Sequence, residues 1–473
     1  MQKNLLFVFA DQWRRHAMGC AGADPVETPH MDRFAAGGVY CRNAVSACPL
    51  CSPHRASLLT GLQPLTTGVF TNCKPGLAMK LREDVPSLGT ILKENGYNTG
   101  YIGKWHLDEP EIDRTPEPES GARAWDAYTP PGAGRHGFDD WCSYGAWDAH
   151  LDPHYWTDSP AQIKPGKWSP EYETDRAIEF LQRQTPEKPF GLVLSWNPPH
   201  SPYDEVPEQY LARYREKEIP LRENVCFDSL HCHTGEPMDM TPADLLKKTR
   251  QYYAAVTGLD EQFGRLLDAL DRLGLRENTC VVLSADHGDM MGSHGLMAKH
   301  VWYEESINIP FVAAGPGLLP GRCDTVIGGA DILPTLLEWL ELPVPESLEG
   351  TSRFAGIRQH TGADDSAAYI CACPGSKAFL KMFREAGKDP KDFGWRALRT
   401  QRYTYVIDVG YEPDPVPRRY LYDLEKDPYQ FAPRILNSAG EDPIAQNLEK
   451  RLLGCIRAYH DGFWMHVAAQ ESA

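Results

Sequence analysis

The chain has no excess of basic residues. Lysine and arginine number 48 against 65 aspartates and glutamates, a formal charge of −17. That balance excludes a general nucleic-acid binder, which needs a basic face, while leaving room for a small basic pocket. Nor does any apolar run approach the ~20 residues of a membrane-crossing helix, so no membrane partner is expected. Internal repeats and low-complexity tracts are absent. The N-terminus shows no secretory leader: residues 5–10 are too short an apolar run, and no small-residue cleavage site follows. The expectation is a cytoplasmic protein, or a secreted one already trimmed. The thirteen cysteines cannot all pair within the chain, and without a leader they read as thiols rather than a disulfide framework.

What is present is an ordinary globular composition, 42% hydrophobic and 24% charged, spread over 473 residues. That length gives ample core and room for up to about three domains. Short apolar runs alternate with helical patterns. Residues 5–10, 98–102, 190–196, 279–285 and 309–314 read as strands, and 85–95, 171–184, 242–273 and 332–340 as helices. Such alternation predicts an α/β fold, a large mostly parallel sheet sandwiched by helices. Residues 108–170, rich in proline, glycine, tryptophan and histidine, read as long loops. Later the rhythm changes: 369–373, 397–400, 403–408 and 420–424 read as short antiparallel strands, and 444–459 as an amphipathic helix. We therefore expect a catalytic α/β domain at 1–360 and a smaller C-terminal α+β subdomain at 361–473 with a short antiparallel sheet.

The polar residues fall at strand ends. Asp11 and Gln12 follow the first strand, Lys104 and His106 the second, His200 the third, and Asp286 and His287 the fourth. Ligands of open α/β sheets bind beyond the carboxyl ends of the strands. Four strand ends would thus deliver these groups to one edge. Carboxylates with an amide oxygen favour a hard cation such as calcium or magnesium, and the imidazole leaves room for manganese or zinc. Taken alone, Asp286-His287-Gly288-Asp289 also reads as a turn after a strand.

Cys51-Ser52-Pro53-His54-Arg55 suits a helix start, with proline in the first turn. Cys51 would then sit where free N–H groups and the helix dipole favour an anion, with Arg55 one turn on. There it could be a low-pKa nucleophile or a buried structural thiol. Cys48 and Cys51 also form a C-x-x-C, a redox pair or half a zinc site, with Cys371-Ala372-Cys373 or His231-Cys232-His233 as its other half. Trp125, Trp141, Trp147, Tyr155 and Trp156 could stack on sugar or aryl rings, or pin the long loops to the body. Trp395, Arg396, His360 and the Cys371 region are expected to edge the pocket from the C-terminal side.

Cys51-Ser52-Pro53-His54-Arg55 followed by Leu59-Thr60-Gly61 resembles the signature of the formylglycine-dependent (type I) sulfatases of the alkaline-phosphatase superfamily. Gly103-Lys104-Trp105-His106 is similar to the family's second signature. Asp286-His287-Gly288-Asp289, with Lys299 behind it, looks like its metal loop, and Leu421-Tyr422-Asp423-Leu424 like its C-terminal strand. The likeness spans nearly the whole chain, least so at 108–170.

The resemblance implies an alkaline-phosphatase-like fold and hydrolysis of a sulfate ester. A separate maturation enzyme would convert Cys51 to formylglycine. Asp11, Gln12, Asp286, His287 and residue 51 itself would hold one divalent cation, usually Ca2+, with Mg2+ or Mn2+ as alternatives. A hydroxyl of the hydrated aldehyde would attack sulfur, His200 or Lys299 would protonate the departing alcohol, and His106 would help expel sulfate. Arg55 and Lys104 would hold the formylglycine, and Lys104, His200 and Lys299 would bind the substrate. Ser143 is the nearest match to a serine the family places beside this machinery. Many relatives carry Asp-Asp where this chain has Asp11-Gln12, and Asp-Asn where it has Asp286-His287. That pair also occurs in phosphonate monoester hydrolases, so a phosphonate monoester or phosphate diester hydrolase is a competing reading. A non-catalytic sulfoglycan-binding protein is another. The expected substrate is a sulfated oligosaccharide or small sulfate ester, since the acidic surface disfavours a long polyanion. A homo-oligomer is compatible with the sequence.

Overall fold

A computed structural model describes residues 2–227, 230–231, 237–360 and 365–471. Ten of its strands precede residue 360: β1 (Asn4–Asp11), β2 (Val39–Cys41), β3 (Ala44–Val45), β4 (Asn98–Lys104), β5 (Asp140–Tyr144), β6 (Phe190–Pro199), β7 (Thr279–Ala285), β8 (Phe311–Ala314), β9 (Gly321–Cys323) and β10 (Ile327–Gly328). Five follow: β11 (Ala367–Ala372), β12 (Gly394–Thr400), β13 (Tyr403–Gly410), β14 (Arg418–Asp423) and β15 (Arg434–Leu436).

The main sheet has the order β5-β4-β6-β1-β7-β8-β2-β9. The pairs β5/β4, β4/β6, β6/β1, β1/β7 and β2/β9 are parallel, and only β8 runs against its neighbours. Every residue of β1, β6 and β7 is buried, as strands covered on both faces must be. Adjacent residues of a strand prove the double cover. A Cβ on Gly100 would meet Phe180 of the Ser169–Gln182 helix and Leu192 of β6, whereas one on Gly191 would meet Leu92 of the Leu88–Glu94 helix. Residues 191 and 192 point to opposite faces, so the two helices lie on opposite sides.

The structure adds strands that the sequence pattern hid. The 108–170 segment, expected to be loops throughout, supplies edge strand β5, and three-residue β2 and β9 form the other edge. The Leu88–Glu94 helix starts later than residue 85. Ser87 accepts from Thr90 N at 3.2 Å while Thr90 Oγ1 accepts from Ser87 N at 3.0 Å, a reciprocal cap that sets the start.

The C-terminal sheet is an antiparallel meander, β11-β12-β13-β14-β15, one strand more than expected. Tyr369, Cys371, Leu398 and Tyr405 pack with Leu448, Leu452 and Ile456 of the Pro443–Ala458 helix. The alternate residues Ala368, Ile370, Ala372 and Ala397 pack with Val45, Ile307 and Val326 of the larger unit. Period-two alternation thus gives the small sheet one face for its own helix and one for the body. The expected boundary at 360/361 adjoins residues 361–364, outside the described residues.

Candidate active site

Asp11, Lys104, His200 and Asp286 lie at or just beyond the carboxyl ends of β1, β4, β6 and β7, four neighbouring strands. Two local devices bring them close. Gly103 has φ 98°, and a Cβ there would lie 2.1 Å from the Ser195 carbonyl oxygen, so only glycine lets β4 approach β6 just before Lys104. Gln12 and His106 take left-handed backbones, φ 64° and 54°, which turn the chain sharply after each strand.

Cys51 is the first residue of the Cys51–Thr60 helix, every residue of which is buried. The helix stops at Gly61, where φ is 68°. The Cys51 Sγ is 3.5 Å from Asp11 Oδ1 and 3.3 Å from His287 Nε2. Ligand atoms of Asp11, Cys51, Asp286 and His287 all lie within 4.8 Å of one another, with all four residues buried.

Arg55 ties this cluster together. Its Nε donates to Asp286 Oδ2 at 3.1 Å, Nη2 to Asp11 Oδ2 at 3.0 Å, and Nη1 to the Lys104 carbonyl at 2.8 Å and Ser195 Oγ at 2.6 Å. Lys104 Nζ lies 2.7 Å from Asp11 Oδ2 and donates to Asn197 Oδ1 at 3.0 Å. Burial opposes ionisation of Asp11, but Lys104, His200, Arg55 and His287 outweigh it and hold the carboxyl well below its usual range. Asp286 goes the other way, pushed up to about 6 by burial and by Asp11 beside it. Burial and Asp11 also oppose the Cys51 thiolate, yet Lys299, Lys104 and His287 hold that thiol well below its ordinary pKa.

Gln12 sits differently from the other expected ligands. Its Nε2 donates to Asp289 Oδ2 at 2.6 Å and to Tyr203 at 3.2 Å, and its Oε1 accepts from Lys299 Nζ. Asp289, fully buried, also takes the Tyr203 hydroxyl at 2.6 Å, so it aims Gln12 toward Lys299.

A cavity of about 640 Å³ opens above the cluster, with Cys51, Lys104, His106, His200 and Lys299 in its wall. His106 Nε2 donates to the Cys73 carbonyl at 3.1 Å, which in a neutral ring leaves Nδ1 as the acceptor. Burial lowers the His106 pKa, partly offset by hydrogen bonding with Cys51. His200 Nδ1 donates to the Ser201 carbonyl at 2.7 Å and lies 3.5 Å from Asp148 Oδ1.

Of the expected aromatics, Trp125 and Trp147 line the cavity, whereas Trp141, Tyr155 and Trp156 are buried and pin the loops. From the C-terminal side the wall is Pro374, Gly375, Ser376, Phe379 and Tyr411. Trp395 and Arg396 are buried away from it, and His360 bonds the Leu319 carbonyl. Arg396 instead pairs with Asp461 at 2.5 Å. Ser143 donates to the Tyr144 carbonyl at 3.2 Å, and it is Ser195 that touches Arg55 and the Lys104 carbonyl. No described cysteine is in a disulfide. Cys48 lies outside the four-residue cluster, so Cys51 answers to Asp11 and His287, not to a C-x-x-C partner. Cys232 and His233 lie outside the described residues.

Asn197, Ser195 and Tyr203 were not singled out in the sequence, and Asp289 only as part of the Asp286-His287-Gly288-Asp289 loop. The signal for Asn197 was its place directly after the apolar run 190–196. Ser195 and Tyr203 carry no such mark.

The chain is similar to known proteins in sequence and in fold. The family profile described as Sulfatase matches residues 3–342. The Endo-4-O-sulfatase of Bacteroides thetaiotaomicron is 34% identical, over 90% of this chain and 87% of its own. The Ulvan-active sulfatase of Formosa agariphila is 36% identical, over 90% of this chain and 76% of its own. A structure solved in work on the metabolism of multiple glycosaminoglycans by Bacteroides thetaiotaomicron superposes with a TM-score of 0.86 at 30% identity, covering 100% of this chain and 99% of that one.

Proposed function

The chain belongs to the sulfatase family and is a sulfuric ester hydrolase, and from that premise we propose that its substrate is a sulfated carbohydrate cleaved with a formylglycine made from Cys51 and one divalent cation, calcium in preference to magnesium or manganese. The observation that carries this reading is the convergence of Cys51, Asp11, Asp286 and His287 on one buried point beneath a cavity walled by Lys104, His106, His200 and Lys299. The glycan part of the reading is supported by the activities named for the relatives.

The donors fit a cation. Two carboxylates and an imidazole with the side chain of residue 51 suit a hard or borderline divalent ion. Asp286, raised to about 6 by burial and by Asp11 beside it, marks negative charge that Arg55 alone leaves under-compensated. Gln12 is engaged by Lys299 and Asp289, so the fit rests on the other four residues. A bound cation would polarise the sulfate oxygens and acidify a hydroxyl at position 51. The aldehyde would supply that hydroxyl as its hydrate, with a second hydroxyl from which the carbonyl can re-form.

The chain's own residues do the rest. Arg55 fixes both carboxylates in one orientation. Lys104 and Lys299 bring fixed positive charge to the cavity floor, where charge on a transferring sulfuryl group is stabilised. His200, its Nδ1 donating to the Ser201 carbonyl, gives the Nε2 proton of its imidazolium form to the departing alcohol, with Lys299 as its alternate. His106 takes a proton at Nδ1 to release sulfate. A separate maturation enzyme must act on Cys51 before the helix is buried in this position.

Peptide mass spectrometry across Cys51, paired with sulfate release from a sulfated-sugar panel, tests the reading. Full activity in Cys51→Ala overturns the mechanism. Faster turnover of an aryl phosphonate monoester than of an aryl sulfate overturns the sulfate assignment in favour of phosphonate hydrolysis.

A further inference from the structure

The cavity holds a cation that the reaction at Cys51 does not use. Lys74 is 9% exposed and lines the wall. It is one residue beyond Cys73, whose carbonyl accepts from His106. Segment 72–74 is pinned to the start of the Cys51–Thr60 helix: Asn72 Oδ1 accepts from Ser52 N at 3.0 Å, and Ser52 Oγ accepts from Cys73 N at 3.1 Å. Lys74 is therefore held beside the cluster by rigid contacts, one Cα step (about 3.8 Å) from a residue that touches the catalytic histidine.

Its protein partner is neutral. Nζ donates to the Gly375 carbonyl, and no described carboxylate pairs with it. The charged group that acts on it is Lys377, of like sign, which follows Ser376 of the cavity wall in sequence. Burial and Lys377 together lower its pKa to about 8, which leaves it charged at neutral pH at a cost. Lys377 begins the nine-residue Lys377–Glu385 helix, whose start adds further positive potential where Gly375 and Ser376 line the cavity. Trp125, Phe379 and Tyr411 supply flat walls to the same cavity. Buried charges in proteins are normally paired, so an unpaired ammonium in an open cavity calls for an anion from outside.

We infer that Lys74, with Lys377 and the helix start beside it, forms a second anion subsite that recognises a carboxylate or second sulfate on the substrate, apart from the sulfate that is cleaved. This rests on the sulfatase reading above and narrows its substrate class to sugars bearing at least two anionic groups.

The test is a binding cycle on the full chain carrying Cys51→Ala, with calcium present, so that ligands stay uncleaved. Titration calorimetry compares two pairs of probes. One is the 4-sulfated chondroitin disaccharide against the same disaccharide with its uronate carboxyl reduced to an alcohol. The other is glucosamine 2-N,6-O-disulfate against glucosamine 6-sulfate. In the Lys74 background the doubly anionic member of at least one pair should bind about tenfold tighter, the scale of one buried charge-assisted contact. In Lys74→Gln that preference should fall to within twofold, and Lys74→Arg should retain part of it. Which pair responds identifies carboxylate or sulfate as the partner. The same preference in both backgrounds, or no binding of any doubly anionic probe, overturns the subsite. Sulfate release by the mature Lys74→Gln enzyme separates the two claims: turnover with no loss of selectivity leaves the sulfatase reading intact and removes only this one.

Discussion

Arg55 and Asp11 meet at 3.0 Å, Nη2 to Oδ2, with neither side chain exposed to solvent. The same guanidinium reaches Asp286 at 3.1 Å, so one side chain bridges two buried carboxylates and sets their spacing. Arg55→Ala would leave Asp286 without its guanidinium partner and Asp11 with Lys104 alone. We expect a loss of about 3–5 kcal/mol in stability, with activity abolished. Arg55→Lys keeps the charge but not the fork, and should recover part of the stability and little activity. Thermal unfolding and sulfate release measured side by side check both.

Cation affinity should follow the protonation of Asp286. Its carboxyl, raised to about 6, is protonated in the cation-free protein below that pH and must lose the proton to bind. His287, whose pKa burial lowers but Asp286 raises on balance, must lose a proton as well, so affinity should rise from pH 6 to 7.5 and fall with each unit below 6, by about tenfold for each proton displaced. Calcium titrations at pH 5, 6 and 7.5 would show this. Flat affinity over that range would refute it.

His106 should work as a base over a wide pH range. Burial lowers its pKa from the free value near 6.5, so the ring is neutral at pH 7 with Nδ1 unprotonated. Any acid limb due to this residue must therefore fall below pH 6.5, not above it. His106→Ala should slow turnover by about 10²–10⁴. A burst of alcohol release followed by slow sulfate release would place the residue after the first chemical step.

Asn197 holds Lys104 through Oδ1 at 3.0 Å, while its Nδ2 donates to the Trp147 carbonyl at 2.9 Å and Asp148 Oδ1 at 3.0 Å. Asn197→Ala should free the ammonium and the loop together. We expect kcat/KM to fall by about 10–100-fold with the melting temperature changed little. Asn197→Asp should do worse, because a new carboxylate would compete with Asp11 for Lys104.

The buried pair Arg396–Asp461, at 2.5 Å, lies outside the cavity. Asp461→Asn should cost stability, about 3–5 kcal/mol for an unpaired buried guanidinium. The kcat/KM of the folded enzyme should stay within twofold. A large kinetic effect would mean that the small sheet transmits strain to the cavity.

Much of this was legible in the sequence, because the strongest signals are local and periodic. The buried strands β1, β6 and β7 are mostly apolar runs, and each ends in or is followed by polar residues. That juxtaposition is enough to bring Asp11, Lys104, His200 and Asp286 to one edge. Cys51 and Arg55 stand one helical turn apart, so their shared face follows from the helix period alone. Strand β5 escaped notice because five residues inside a proline- and glycine-rich stretch carry too weak a period. Three-residue β2 and β9 are shorter still.

Only the tertiary structure decided which contacts those residues make. Gln12 turns its amide to Lys299 and Asp289, Ser195 supports Arg55 where Ser143 was expected, and Lys74 enters the cavity without a counter-charge. Each depends on partners far away in the chain, and on which of several polar atoms wins a buried hydrogen bond. Residue type limits what a side chain can do, but packing chooses the neighbour, and inside a protein the neighbour sets both charge state and aim.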